Sequence, residues 1–303
     1  AAIRAVVRTA VHRGLEVYGI RRGYLGMIEG DIFAMDSSSV SGIIQRGGTI
    51  LQTARCKEFM TPEGRKKAYE QLVAHGINAV IVIGGDGSFT GAGIMSREYN
   101  IPFIGIPGTI DNDLYGTDYT IGFDTALNTV VNAVDKIRDT ASSFDRIFVV
   151  EVMGREHGYL ALDAALACGA EFVVIPEIKI SLRRLASEIK KERLRDKTSV
   201  IIIFAEGAGS SMEFAAHLSK LSGYQTRVST LGYIQRGGAP TGRTRILAAR
   251  FAERAIELVR TKRLNRLVGI KSGRIIDMPI ANIINRSKPI DLNLYKLIER
   301  LGR

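Results

Sequence analysis

Cysteine and histidine are both scarce. Cys56 and Cys168 are the only thiols in 303 residues, and His12, His75, His157 and His217 the only imidazoles. Two cysteines cannot build the disulfide framework of a small secreted scaffold, and four scattered histidines show no metal-ligand spacing. No run approaches the roughly eighteen uninterrupted apolar residues that a spanning helix needs, and the sequence as given opens without a signal-peptide pattern. The expectation is a cytoplasmic protein with no membrane partner. Internal repeats and low-complexity linkers are also missing, so domain boundaries are soft at this level. The net charge is +11, from 42 Lys and Arg against 31 Asp and Glu. Much of the excess lies in residues 183–197 and 243–274, yet neither stretch interleaves the aromatics of a single-strand groove. Both carry helix-type spacing, so the charge reads as solvated helix faces and phosphate ligands, with no nucleic-acid partner expected.

What is present centres on residues 83–113, IGGDGSFTGAGIMSREYNIPFIGIPGTIDND. Two turns, Gly84-Gly85-Asp86-Gly87-Ser88 and Pro107-Gly108-Thr109-Ile110-Asp111-Asn112-Asp113, each follow a short apolar run of the kind that makes a buried parallel strand. That puts both turns at strand C-terminal ends, where ligands bind in open α/β sheets. Glycines allow close backbone approach to an anion, and a helix beginning after GGDGS aims N–H groups at phosphate. A nucleotide is the natural guest. Asp86 repels phosphate directly, so a divalent cation, Mg²⁺, is expected between them. Asp111 and Asp113 stand two apart on one loop, close enough to perturb each other's protonation, and one can accept a proton from a hydroxyl. Each turn also has a bland reading: a strand-to-helix turn with an Asp cap, and an Asx-turn.

A chain of this length usually forms two domains. Residues 1–13 carry a helical stripe of Ile3, Val6, Val7 and Ala10, residues 15–20 read as a strand, and Gly23-Tyr24-Leu25-Gly26 as a loop. Helix patterns follow at 62–75, 124–138, 159–168, 182–194, 211–221, 243–260 and 292–300. The stripe of the second of these is Ala126, Val130, Val131, Val134 and Ile137. Strand patterns lie at 79–83, 147–152, 172–175, 200–205 and 227–231, with a last strand at 268–271. Strands alternating with helices imply parallel, doubly wound α/β architecture.

GGDGS, PGTIDND, Met153-Gly154-Arg155 and the segment Gly232-Tyr233-Ile234-Gln235-Arg236-Gly237-Gly238, in that order, resemble bacterial ATP-dependent 6-phosphofructokinases, from Ala1 to about residue 300. The family pattern has a first strand and a glycine turn GGDxPGMN before this point, which this sequence lacks. The resemblance implies two Rossmann-like parallel-sheet domains in the phosphofructokinase fold. One is an ATP-binding, catalytic domain of residues 1–122 plus 235–285, the other a sugar-phosphate-binding domain of 123–234 plus 286–303.

It implies Mg²⁺-dependent transfer of the ATP γ-phosphoryl group to the 1-hydroxyl of fructose 6-phosphate, a glycolytic step. By resemblance Asp111 is the general base, Asp86 the metal ligand with Asp113 nearby, and Arg55 and Arg155 stabilise the moving phosphoryl group beside Thr109. Without the likeness, Arg55 reads as an ordinary surface arginine. Tyr24, Arg55, Cys56, Asp86, Gly87, Ser88 and Gly91 match nucleotide contacts, although Met60 replaces a basic residue common there. Thr109, Asp111, Asp113, Arg146, Met153, Gly154, Arg155, Glu206, Arg227, Tyr233 and Arg236 match substrate contacts, Tyr233 standing where better-studied members carry His. Arginine suits a 6-phosphate because its planar fork pairs with phosphate oxygens. In the family Arg146 and Arg227 serve a neighbouring subunit's site, so a homo-oligomer, usually a tetramer, is implied. Pyrophosphate-using relatives carry Asp and Lys where this sequence has Gly87 and Gly108, which implies ATP as donor. Arg4, Arg8, Arg138, Glu171, Arg195 and Lys197 match a pocket for ADP or phosphoenolpyruvate effectors. Ser37 removes one arginine from it, so weakened effector binding is expected.

Two other readings stand beside this one. A lipid or NAD kinase shares the GGDG turn but has no use for Arg146, Arg227 and Arg236. A nucleotide-binding or regulatory subunit with impaired catalysis follows if the absent first segment is decisive.

Overall fold

The computed structural model describes residues 1–142, 146–193, 199–284 and 286–302. In chain order they form α1 (Ala2–His12), β1 (Val17–Ile20), α2 (Tyr24–Glu29), β2 (Ile32–Met35), α3 (Pro62–Ala74), β3 (Val80–Gly84), α4 (Asp86–Tyr99), β4 (Phe103–Thr109) and β5 (Ile121–Gly122). Then come α5 (Phe123–Ser142), β6 (Arg146–Val152), α6 (Tyr159–Ala167), β7 (Phe172–Val174), α7 (Leu182–Arg193), β8 (Ser199–Ala205) and α8 (Ser211–Ser222). Last are β9 (Thr226–Thr230), α9 (Gly242–Arg260), β10 (Arg266–Lys271), β11 (Arg274–Pro279) and α10 (Leu292–Leu301). Among the described residues no helix is long and apolar enough to cross a membrane.

The chain divides into two compact units: Ala1–Thr109, Leu114–Gly122 and Gly238–Lys288 form unit 1, and Ile110–Asp113, Phe123–Gly237 and Pro289–Arg303 form unit 2. The loop Ile110–Asp113, expected within the first domain, groups with unit 2.

Unit 1 is built on a sheet of order β11-β10-β4-β3, with β5 also paired to β4. The β3, β4 and β10 pairings are parallel. Side chains of β4 alternate between two cores: Phe103 packs with Phe89, Met95 and Leu72, while Ile104 and Ile106 pack with Phe251, Leu258 and Val268. Both sheet faces are therefore covered by helices, which is why these strands read as continuous apolar runs. Helix ends are set locally. Thr61 caps α3, its Oγ1 accepting from Gly64 N at 3.0 Å with Pro62 next in line, and Thr241 caps α9 by accepting from Thr244 N.

Three expectations for this unit are corrected. Gly23-Tyr24-Leu25-Gly26 opens a helix rather than a loop, because Gly23 and Gly30, both at positive φ, let the chain turn in and out. Residues 32–35 form an unanticipated strand, antiparallel to β1 in a separate two-stranded sheet. The strand at 266–271 is not the last: it hairpins into β11, antiparallel to the rest.

Unit 2 holds a wholly parallel sheet of order β7-β8-β6-β9. Ile147, Val149, Ile202 and Phe204 face α7 and α8 with Leu185, Ile189 and Leu218, and α5 and α6 lie against the same sheet. Every residue of β6 and β8 from 147 to 150 and 200 to 205 is buried. The sheet delivers its C-terminal ends to one edge, where the substrate-matching turns emerge.

Candidate active site

In unit 1, β3 ends at Gly84, paired in register with Pro107 of β4, so the GGDGS and PGT turns leave the sheet side by side. Gly85 is the N-cap of α4 and Asp86 its first residue, so the aspartate lies one position past the cap expected of a simple Asp-capped turn. A Cβ on Gly84 would come within 2.6 Å of Ser88 Oγ, so glycine is required there for the tight return into the helix. Beside Gly87 a Cβ would meet nothing within 4 Å. Tyr24 stacks on Phe59 with centroids 3.8 Å apart, and its hydroxyl donates to Ser88 O at 2.5 Å. Burial pushes that phenol well above its usual range, so it stays a donor. Gly91 lies against this ring pair, 3.1 Å separating its notional Cβ from Phe59 Cε1, so a larger residue would need the rings to give by a few tenths of an ångström. A Cβ on Gly108 would press on Ile83 Cγ2 at 3.0 Å. Thr109 closes β4, its carbonyl accepting from Thr120 Oγ1 at 2.6 Å. Arg55 is exposed, Met60 likewise, and Cys56 half-buried against the core under α4.

In unit 2, β6 runs into Met153-Gly154-Arg155. Gly154 has φ 144° and Arg155 φ 52°, the latter a left-handed conformation that a branched-out side chain seldom adopts. Three side-chain bonds hold this turn. Glu206 Oε1 accepts from Gly154 N at 3.2 Å and from Arg155 N at 2.8 Å, and Gln235 Oε1 accepts from Met153 N at 3.1 Å. A buried N–H without such a partner costs about 1–3 kcal/mol. Glu206, matched to the sugar by resemblance, thus also shapes the backbone beside it. Arg155 Nε lies 3.2 Å from Asp111 Oδ2; the arginine side chain is 68% exposed and the aspartate's 7%. Asn112, also at φ 52°, turns the loop between Asp111 and Asp113. Asp113 stands near Tyr159, whose hydroxyl is pushed up to about 12, mainly by burial and then by the carboxylates of Glu177 and Asp113.

The remaining substrate-matching residues separate into two places. Met153 is buried; Tyr233 and Arg236 are exposed on the 3₁₀ turn Gly232–Arg236, the guanidinium 5.2 Å from the Tyr233 ring centroid. Arg146 instead begins β6, and Arg227 pairs with Phe148 near the start of β9. At about 3.3 Å per residue, Arg146 lies about 23 Å along the strand from the start of the turn at 153–155.

Of the effector-matching residues, Arg4 and Arg8 sit one turn apart on α1 in unit 1. Ser37 belongs to a turn closed by Asp36, whose Oδ1 accepts from Ser38 Oγ at 2.6 Å and from Ser39 N at 2.9 Å. In unit 2, Arg138 donates to Cys168 O and Gly169 O and lies 3.8 Å from Glu171, a buried carboxylate that also accepts from Ile201 N. Arg195 and Lys197 lie outside the described residues.

Among the described residues no cluster of three or more His, Cys, Asp or Glu could hold a metal alone. Mg²⁺ commonly takes one or two carboxylates and completes its shell with phosphate oxygens and water, so Asp86 at the head of α4 fits that donor chemistry. Gln235 is the residue that the sequence reading named only as part of a motif; an amide between Ile and Arg in GYIQRGG gives no sign of which way it points.

Two α/β units with parallel sheets, each delivering glycine-bearing turns with acidic or basic side chains from strand C-terminal ends, define a phosphate-handling α/β protein. The phosphofructokinase family pattern matches residues 1–259, and the chain belongs to that family. It is 52% identical over 302 residues to the ATP-dependent 6-phosphofructokinase of Halalkalibacterium halodurans, covering all of this chain and 94% of that one. It is 51% identical to the enzyme so named in Clostridium botulinum, covering 95% of it. Among solved structures, phosphofructokinase from Saccharomyces cerevisiae superposes with a TM-score of 0.89 at 33% identity, over 93% of this chain. The present chain spans about two fifths, 42%, of that yeast chain. A pyrophosphate-dependent phosphofructokinase from Marinobacter aquaeolei shares the fold at 22% identity, with a TM-score of 0.82 over 96% of this chain and 82% of that one.

Proposed function

We propose that this chain transfers the γ-phosphoryl group of ATP to the 1-hydroxyl of fructose 6-phosphate, giving fructose 1,6-bisphosphate. The observation that carries the reading is the pair Asp111–Arg155. A buried carboxylate and an exposed guanidinium meet at 3.2 Å, on turns held in left-handed backbone. Phosphoryl transfer asks little covalent work of a protein; it needs an aligned nucleophile and charge placed on the moving group. Asp111 accepts the proton of the sugar hydroxyl, and Arg155 is free on its solvent side to clasp the phosphoryl oxygens, with Arg55 and Thr109 assisting. Asp113 follows two residues on in the same loop, beyond the left-handed Asn112.

In this reading unit 1 takes the nucleotide. Tyr24, Cys56, Gly87, Ser88 and Gly91 frame it, Asp86 carries Mg²⁺, and the open space beside Gly87 suits ATP as donor. When bound, the cation neutralises phosphate charge. Unit 2 takes the sugar phosphate through Met153, Gly154, Glu206, Tyr233 and Arg236. The placement of Arg146 and Arg227 far from the 153–155 turn favours their serving another subunit, hence a homo-oligomer, a tetramer by family likeness. Cytoplasmic glycolysis is the setting, and ADP or phosphoenolpyruvate the effectors, acting weakly because of Ser37.

A coupled assay tests this. Mg²⁺-dependent ADP release is expected only when fructose 6-phosphate is present; release with other acceptors, or none, overturns it.

A further inference from the structure

We propose that Gln235 is a positioning residue that locks the Met153–Arg155 turn to the Gly232–Arg236 turn and so sets the sugar-phosphate site. The proposal rests on the reading that these turns hold the sugar phosphate.

The β6–β9 ladder ends at the pair Glu151↔Thr230, with Leu231 N donating to Glu151 O at 3.1 Å. Beyond it the chain swings away into the 3₁₀ turn, so no further backbone of β9 reaches β6. In a strand, alternate residues offer their N–H to the same neighbour. Met153 N is therefore the next donor on this side, and it is buried. The Gln235 amide takes it: Oε1 accepts from Met153 N at 3.1 Å, while Nε2 donates to Gly232 O at 3.0 Å. One side chain replaces the missing rung and closes its own turn.

Its neighbours behave otherwise. Tyr233 is 78% exposed and Ile234 57%, whereas Gln235 is 1% exposed. The turn thus drives the amide inward and presents Tyr233 and Arg236 outward. Met153 and Arg155 follow from one end of the amide, and Tyr233 and Arg236 flank the other. A hydrocarbon side chain can make neither bond. An ionised glutamate can only accept, and a protonated glutamate can do both.

That difference supplies the test, made on the whole chain with fructose 6-phosphate and ATP. Q235M is expected to raise KM for fructose 6-phosphate about tenfold, leaving KM for ATP within about twofold. Q235E is expected to show a raised sugar-phosphate KM at pH 8 that recovers towards wild type as pH falls and the buried carboxyl takes a proton. Hydrogen exchange in peptides spanning 151–156 and 230–237, which needs no turnover, is expected to quicken about tenfold in both segments of Q235M. An unchanged sugar-phosphate KM with unchanged exchange overturns the proposal, as does a Q235E defect that ignores pH. Should Q235M fail to fold, Q235E at low pH, isosteric with wild type, decides alone. Wild-type protein without fructose 6-phosphate turnover but with coupled exchange changes would sink the kinase reading and leave the locking role standing.

Discussion

Arg155 and Asn112 hold left-handed backbone at the two turns that bring Asp111 and Arg155 together. Such conformations persist only where surroundings enforce them. For Arg155 the enforcement is visible: Glu206 takes two N–H groups, and a Cβ on Gly207 would lie 2.2 Å from Arg155 O. Gly207→Ala must displace that carbonyl, so fructose 6-phosphate turnover is expected to fall at least about tenfold, read by steady-state kinetics with ATP saturating. Asp111→Ser removes the proton acceptor and should lower kcat by about 10²–10⁴. A variant that keeps its kcat would remove Asp111 from the chemistry. At this scale residue types were legible and contacts were not. TIDND and MGR announced acid and base, but a motif does not tell that Glu206 faces backbone or that Gln235 points inward.

Elements were read well where a periodic stripe and a cap coincide. The α3 boundary is an example: Thr61 and Pro62 precede the helix, and Thr61 Oγ1 accepts from Gly64 N. Thr61→Ala is expected to lower unfolding free energy by about 1 kcal/mol, measurable by denaturant titration at unchanged slope. Where glycine serves packing, the reading failed. Gly26 looks like a loop residue, yet it sits inside α2 because a Cβ there would fall 1.8 Å from Arg21 O. The β10–β11 hairpin was missed for a related reason. Ser272 and Gly273 both have positive φ, 48° and 76°, the signature of a tight two-residue turn, which the apolar pattern of 268–271 does not register.

Across the whole molecule the charge is unevenly shared. Unit 1 contains 24 Lys and Arg against 13 Asp and Glu, and unit 2 contains 18 of each, so the entire excess of eleven falls in unit 1. Part of it is held internally, where Asp277 pairs with Arg254, Arg263 and Arg266 across α9, β10 and β11. Burial opposes ionisation of Asp277, but bonds from Arg254 and Arg266 outweigh it and hold its carboxyl low. Asp31 is held low by Arg22, Glu98 by Arg65, and Asp36 falls to about 2 through the Ser38 hydroxyl. All four belong to unit 1. A carboxyl depressed in the folded state lends stability above its unfolded pKa, near 4, and loses it as pH falls through the folded value. Between about pH 4 and pH 2, unit 1 is therefore expected to loosen first. Hydrogen exchange would show it as early deprotection of residues 1–109 and 238–288, and earlier loss in 123–193 would contradict it. Composition, strand-helix alternation and four ordered motifs determined the α/β class, the family and the kinds of side chain offered to a phosphate, because periodicity and turn chemistry are local. Which carboxylate meets which guanidinium, which glycines are packing necessities, and how Met153 N is satisfied were decided only in three dimensions, because a parallel sheet joins residues far apart in sequence.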